Sequence, residues 1–343
     1  MRSQRGVALL TILLLVVSIT VVAGAMLASQ KIAIRRSGLL FNQNQLLQDI
    51  DAANQLAVTL ISADSTLNDT DSLQDIWAQP LPAYPLGTHT ITMQLRDEAS
   101  RFNLNNLYHD DVVDAAALSV FQRLLTQLNL APDIAVAVLD WQDADSDVYN
   151  DGGNESAVYA QQGVGSSVDL PNQPFVSIDQ LQEVQGISSE VLATLRPYIT
   201  AVPYYLPINV NTTSPEVLGA LIVGLGPQQL QGLLTLREQQ VIASVDSLWQ
   251  QPPFNTLSTE ERELLMPLLA VDSRAFMALI TVTDSSHLEE EERQKFATVL
   301  ISKIEDGEFN MTNSSNINSS NNKKPKIVNV ISQRLWAFQP NFD

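Results

Sequence analysis

An α+β fold is predicted: a long N-terminal transmembrane and amphipathic helix, an antiparallel sheet, and a large, mostly helical domain inserted into that sheet. Three observations carry this. Val7–Ala28 is a run of 22 mostly apolar residues, and the charge-free stretch reaches Gln30. Alternation of apolar and polar residues marks one early strand, Thr88–Arg96, and three late ones, Phe276–Thr283, Phe296–Lys303 and Lys326–Gln333. Between them, 108–271 is periodic at helical spacing and punctuated by Gly and Pro.

As a helix, the apolar run would reach about 33 Å, enough to cross a bilayer core. Arg2 and Arg5 flank it on one side and Lys31, Arg35 and Arg36 on the other, so charge does not set its orientation. Ala23-Gly24-Ala25 and Ala28-Ser29 could mimic a signal-peptidase site, which keeps a cleaved export signal as the alternative. Beyond Arg36, however, Leu39, Leu40, Leu46, Leu47, Ile50, Ala53, Leu56, Ala57, Leu60 and Ile61 recur at three- and four-residue steps, so one helix over 7–61 runs on into the body.

A loop rich in Asp, Ser, Pro and Gly follows at 62–87. After the early strand, Asp97–Leu107 reads as a turn region in which Asn103 and Asn105 bond backbone groups. Helices are expected at 111–129, 132–141, 177–185, 188–199, 214–223, 227–240 and 258–269. A faint repeat, Ser177-Ile178-Asp179-Gln180-Leu181 against Ser244-Val245-Asp246-Ser247-Leu248, marks two N-capped openings of short helical hairpins. Between the last two strands, 310–322 is rich in Asn and Ser and is expected to be disordered.

Charge narrows the function. The chain carries −19; no acidic residue occurs in 1–36, which holds five basic residues, and this leaves 14 basic against 38 acidic residues in the remainder. A body this acidic repels phosphate backbones and favours bound cations or basic partner surfaces. The absence of cysteine excludes disulfides, thiolate metal sites and cysteine catalysis.

The acidity concentrates at 140–155, where Asp140, Asp143, Asp145, Asp147, Asp151 and Glu155 place six carboxylates in sixteen residues without a cation. Such crowding is costly unless a counter-charge neutralises it, and a hard ion such as calcium takes six to eight oxygens. Asp143, Asp145 and Asp147 have the 1-3-5 spacing of an EF-hand loop, but Val148 at position 6 and Asn154 at position 12 depart from it. A solvated acidic loop is the competing reading. At 208–237, Gly224-Leu225-Gly226 could form the turn of a helix-hairpin-helix unit offering N–H groups to a DNA phosphate. No lysine occurs from 32 to 294, and Arg237 is the only cation between Arg196 and Arg262, so a structural or protein-binding hairpin is expected. His89, His109 and His287 lack catalytic or metal spacing.

Arg5-Gly6 before Val-Ala-Leu-Leu-Thr-Ile-Leu-Leu-Leu resembles a prepilin peptidase site, and Asp97-x-x-x-x-Phe102-Asn103-Leu104-Asn105 and Asp140-Trp141-x-Asp143-x-Asp145 resemble segments of the K-type minor pseudopilins of type II secretion systems. Most pilins and pseudopilins carry Glu where Thr11 stands; the K type lacks it. The resemblance covers essentially the whole chain. It implies a leader 1–6 cleaved after Gly6, a new and methylated N-terminus at Val7, and a pilin-like domain in two parts, 62–107 and 272–343, with the helical domain 108–271 inserted. It further implies calcium as cofactor on Asp140, Asp143, Asp145 and Glu155, with Ser156 where the family often has Asp. The expected role is non-catalytic: a single-pass protein of the bacterial inner membrane with its bulk in the periplasm. It would join the I- and J-type minor pseudopilins at a pseudopilus tip and work with the prepilin peptidase, the inner-membrane secretion platform and membrane lipid, without nucleic acid. A membrane-tethered helix-hairpin-helix DNA-binding protein and a membrane-anchored hydrolase are the readings from other classes.

Overall fold

A computed structural model describes residues 4–143, 149, 172–284, 293–305 and 326–342. The chain divides into two units, Met1–Ala52 and Ala53–Asp343.

Helix α1 (Gln4–Leu67) occupies the first unit and continues into the second. In the first unit its surface is uncovered from Leu9 to Phe41 and apolar as far as Ala28, before Lys31, Arg35 and Arg36, and its most apolar 18-residue window has a mean hydropathy of 2.7. Its hydroxyls are satisfied internally: Ser18 donates to the Leu14 carbonyl, Thr20 to Val16 and Ser29 to Ala25. That is how a helix keeps polar side chains where no water is available. In the second unit the helix buries Ala53, Ala57 and Ile61, one face at four-residue spacing. It runs one and a half turns past its expected end at 61.

The sheet has five strands, β1 (Tyr84–Leu86), β2 (His89–Asp97), β9 (Ala275–Asp284), β10 (Arg293–Glu305) and β11 (Lys326–Trp336), paired in that order and all antiparallel. Strand β1 falls within the expected loop; it is three residues long with Pro85 at its centre, too short to alternate. In β2 the alternation is real: Ile91 and Met93 are buried, Thr92 and Gln94 exposed. Central strand β9 is covered more fully, with Phe276, Ala278, Leu279, Ile280 and Val282 all buried. Edge strand β11 is mostly exposed and is tied to α1 by Asn54 Nδ2 donating to Gln333 Oε1 at 2.9 Å. The chain leaves the sheet at Asp97 and returns at Ala275, directly opposite: Asp97 pairs with Phe276.

Residues 98–274 build the inserted, mostly helical part, around a core that includes Phe102 stacked on Phe121 at 5.1 Å. Among the described residues its helices are α2 (Ala115–Gln127), α3 (Ile134–Gln142), α4 (Ser189–Leu195), α5 (Pro215–Ala220), α6 (Gln231–Gln239), α7 (Val245–Leu248) and α8 (Thr259–Leu265), with short 3-10 segments between them and at several ends. Helical spacing extends past these ends because a 3-10 turn keeps the i, i+3 pattern.

Two features were not expected. Short strands occur inside this part: β3 (Phe102–Asn103) runs parallel to β6 (Ile199–Thr200), β7 (Ile208–Asn209) runs parallel to β8 (Leu269–Ala270), and β4 (Tyr108–His109) pairs with β5 (Val112–Val113). Two-residue strands leave no periodic trace. The faint repeat is also larger than its five residues. Phe102-Asn103-Leu104-Asn105 and Ile208-Asn209-Val210-Asn211 occupy equivalent places. In each, the second Asn clasps both backbone groups of one residue: Asn105 accepts from Phe175 N–H and donates to its carbonyl, and Asn211 does the same to Ile242. Phe175 and Ile242 each stand two residues before the N-capping serines, Ser177 and Ser244. The inserted part is therefore two copies of one scheme, each closed by a parallel strand pair and an Asn clasp.

Candidate functional site

Three places carry the residues singled out in the sequence. Gly6 and Val7 lie in the first turns of α1.

The acidic stretch begins on α3, which is buried on all sides from Ile134 to Gln142. The run of Ala135, Val136, Ala137, Val138 and Leu139 anchors it in the core, and so the two carboxylates that follow enter the interior: Asp140 is 0% and Asp143 3% exposed. Asp140 Oδ1 accepts from the Tyr149 N–H at 3.2 Å, and Asp143 N–H closes the last turn on the Leu139 carbonyl. Gln142 Nε2 fixes the end of α3 to the Leu104 carbonyl. Two buried carboxylates thus sit at a helix C-terminus, the negative end of the helix dipole. Low dielectric and an adverse dipole both favour a cation there, and the donors are hard oxygens of the kind calcium takes. These two residues fit the expected group. Asp145, Asp147, Asp151 and Glu155 lie outside the described residues, as do 310–322 and His287.

In the hairpin, α5 is followed by a turn in which Gly224 has φ +72°, and a Cβ at Gly219 would press on the Gln127 side chain and the Leu225 carbonyl at 3.2 to 3.3 Å. Its nearest cations face inward. Arg237 donates to the carbonyls of Val210 and Thr213, and Arg123 to those of Ala220 and Leu221. Burial lowers the pKa of both guanidiniums. They tie the hairpin to its neighbours instead of presenting charge to a phosphate. His109 has Asp110 and Asp114 at 3.4 and 3.5 Å and the Tyr205 ring edge-on at 4.5 Å; His89 lies 3.9 Å from Asp284.

Sequence reasoning passed over a buried polar network at the root of the inserted part. Asp97 Oδ2 accepts from Thr212 and Ser273 hydroxyls and from Asn209 Nδ2, while Oδ1 accepts from the Ala99 N–H. Burial, against these donors and with Asp71 nearby, pushes its carboxyl up to about 7. Asp71 meets Lys303 Nζ at 2.5 Å, and its other bonds reach Ser273 N–H and, through its carbonyl, Asn209. Asp64 and Asp75 adjoin Asp71. The only trace in the sequence was the density of Asp in a stretch read as loop.

Two family models, both described as "Type II secretion system (T2SS), protein K", match residues 100–204 and 208–272, and these spans coincide with the two copies of the Asn-clasp scheme. A type II secretion system protein K of Pseudomonas aeruginosa is 28% identical over 256 residues, covering 71% of this chain and 76% of that one. Another, of Aeromonas hydrophila, is 29% identical over 274 residues, covering 74% and 81%. Among solved structures, a chain of the GspK-GspI-GspJ complex from the enterotoxigenic Escherichia coli type 2 secretion system superposes with a TM-score of 0.69 at 22% identity, covering 88% of this chain and 99% of that one, and so shares its fold.

Proposed function

Because the chain belongs to the type II secretion system protein K family, we propose that it works as a minor pseudopilin at the tip of the pseudopilus, supporting its assembly and the export of folded proteins across the outer membrane. The observation that carries this is the unbroken helix α1, uncovered from Leu9 to Phe41, apolar as far as Ala28 and continuous with the folded body. Such a rod inserts in the inner membrane as a single span and packs sideways against similar rods. The bulk of the chain then lies in the periplasm. The fold it shares with a chain from a complex of K, I and J components supports I- and J-type minor pseudopilins as its partners. The bulky inserted part would obstruct a subunit stacked above it, which suits a tip position. The role is one of assembly, not catalysis, with the prepilin peptidase and the inner-membrane secretion platform as further partners.

Co-expression with a prepilin peptidase tests the reading. Wild type is expected to start at a methylated Val7, and Gly6→Ala to keep residues 1–6. Identical N-termini would sink it, as would a mature protein that is soluble and begins near residue 25 or 30.

Calcium on the acidic stretch belongs to the same reading. Asp140 and Asp143 would hold the ion at the end of α3, and its chemistry there is to neutralise and cross-link. Chelator is expected to lower the melting temperature by several degrees, because a bound ion stabilises by its occupancy. In Asp143→Ala/Asp145→Ala that shift should shrink. If chelator moves neither protein, the acidic stretch does not hold calcium.

A further inference from the structure

We propose a second divalent-cation site, of calcium type, formed by Asp64, Asp71 and Asp75 where α1 meets the loop before the sheet. Candidate ligand oxygens of the three carboxylates lie within 4.8 Å of one another, and Asp64 and Asp71 are 3% and 1% exposed. Crowding alone would not make a site; the state of Asp64 does. Its Oδ1 accepts from Asn68 Nδ2 at 2.9 Å, while its Oδ2 is buried without a hydrogen-bond donor, on a carboxylate that shares the cluster with the other two. A buried carboxylate oxygen left in this way is costly unless something positive meets it.

The neighbours already hold their positions for other reasons. Asp75 accepts the Ser72 N–H at 2.6 Å and its hydroxyl at 3.2 Å, and Asp71 is fixed by Lys303 and the Ser273 N–H. The loop is therefore preorganised with lone pairs to spare, because each ionised carboxylate offers about four. Charge sets the valence: three carboxylates against one ammonium leave two negative charges, which one divalent ion neutralises. Burial, then the charge of Asp75, push the Asp64 carboxyl up to about 6, the cost an ion would relieve. The ligands are all hard oxygens, which suits calcium, with carbonyls or water completing its six to eight.

The position gives such an ion a mechanical use. Asp64 belongs to the last turns of α1; Asp71 is bonded to β10 through Lys303 and to the root of the inserted part through Ser273 and Asn209. An ion shared by Asp64, Asp71 and Asp75 fastens the end of the long helix to the point where sheet and inserted part join.

The test counts ions on the full-length chain in detergent, stripped with chelator and dialysed against labelled calcium. Asp64→Asn, isosteric and neutral, is expected to bind one calcium ion fewer per chain than wild type, and Asp143→Asn to retain that ion. Asp64→Asn should also lose part of the calcium-induced rise in melting temperature while melting no lower than wild type in chelator. Asp75→Asn, at a half-buried position, repeats the measurement should Asp64→Asn fail to fold. An unchanged ion count in the folded variants overturns the proposal. So does an unchanged count together with a wild-type carboxyl titrating near pH 6, which would show that the cluster holds a proton.

Discussion

Lys303→Met is expected to destabilise the folded body by about 3–5 kcal/mol, the usual cost of removing one partner from a buried ion pair. Lys303 and Asp71 are both about 2% exposed on their side chains, and Nζ reaches both carboxylate oxygens, at 2.5 and 2.6 Å. Without the ammonium, Asp71 stays buried beside Asp64 and Asp75 with no countercharge. Methionine fills a similar volume against the Phe276 ring, which Nζ overlies at 5.3 Å, so the loss reports charge rather than a cavity. Urea unfolding in chelator measures it free of bound calcium. Asp71→Asn/Lys303→Met should recover much of the loss, because neither charge is then buried alone. A single-variant loss below about 1 kcal/mol would mean that water reaches the pair and screens it.

This pair marks the boundary of what the sequence could tell. Alternation marked all four long strands in the sequence, but it follows burial of a single face only in β2; β9 is covered on consecutive residues and β11 is mostly exposed. Helix α1 was legible because its apolar run and its later stripe are continuous. Lys303 was not legible, because it sits in an alternating strand as an apparently outward residue and its partner lies 232 positions away. Asp71 likewise read as one more loop acid. The Asn clasps show the intermediate case. Asn103 and Asn105 were expected to bond backbone, and they do, but their targets at Val202 and Phe175 are set by the fold. At the acidic stretch, the composition pointed to Asp140 and Asp143, while the apolar residues 134–139 were the signal that both would be buried.

Asp97→Ala is the second large effect, about 3 kcal/mol or more, because one truncation removes the acceptor that four donors share, although Asn209 Nδ2 keeps the Asp71 carbonyl and the Ser273 hydroxyl. Thr212, Ser273, Asn209 and the Ala99 N–H all point at this carboxylate, and a buried donor left without an acceptor costs about 1–3 kcal/mol before the site relaxes. The damage should spread, since these donors come from both ends of the inserted part. Amide exchange is therefore expected to accelerate at Ala99, Asn211 and Ser273 together, and not in β10 and β11 alone. Asp97→Asn separates hydrogen bonding from charge. It keeps an acceptor for Ala99, and the two hydroxyls can turn to accept from its amide, but Asn209 Nδ2 then meets another donor, so part of the loss remains. The pH dependence runs opposite to that of an ordinary salt-bridged acid. With its carboxyl raised from 3.8 to about 7 in the folded chain, Asp97 binds a proton more tightly folded than unfolded. Its contribution is therefore most favourable at acid pH and declines as pH rises from about 4 through about 7. Asp97→Asn should flatten that part of the stability profile; Asp64, raised in the same direction, accounts for what slope remains in chelator. A wild-type profile that instead climbs over this range would show that the four donors outweigh burial and hold Asp97 ionised throughout.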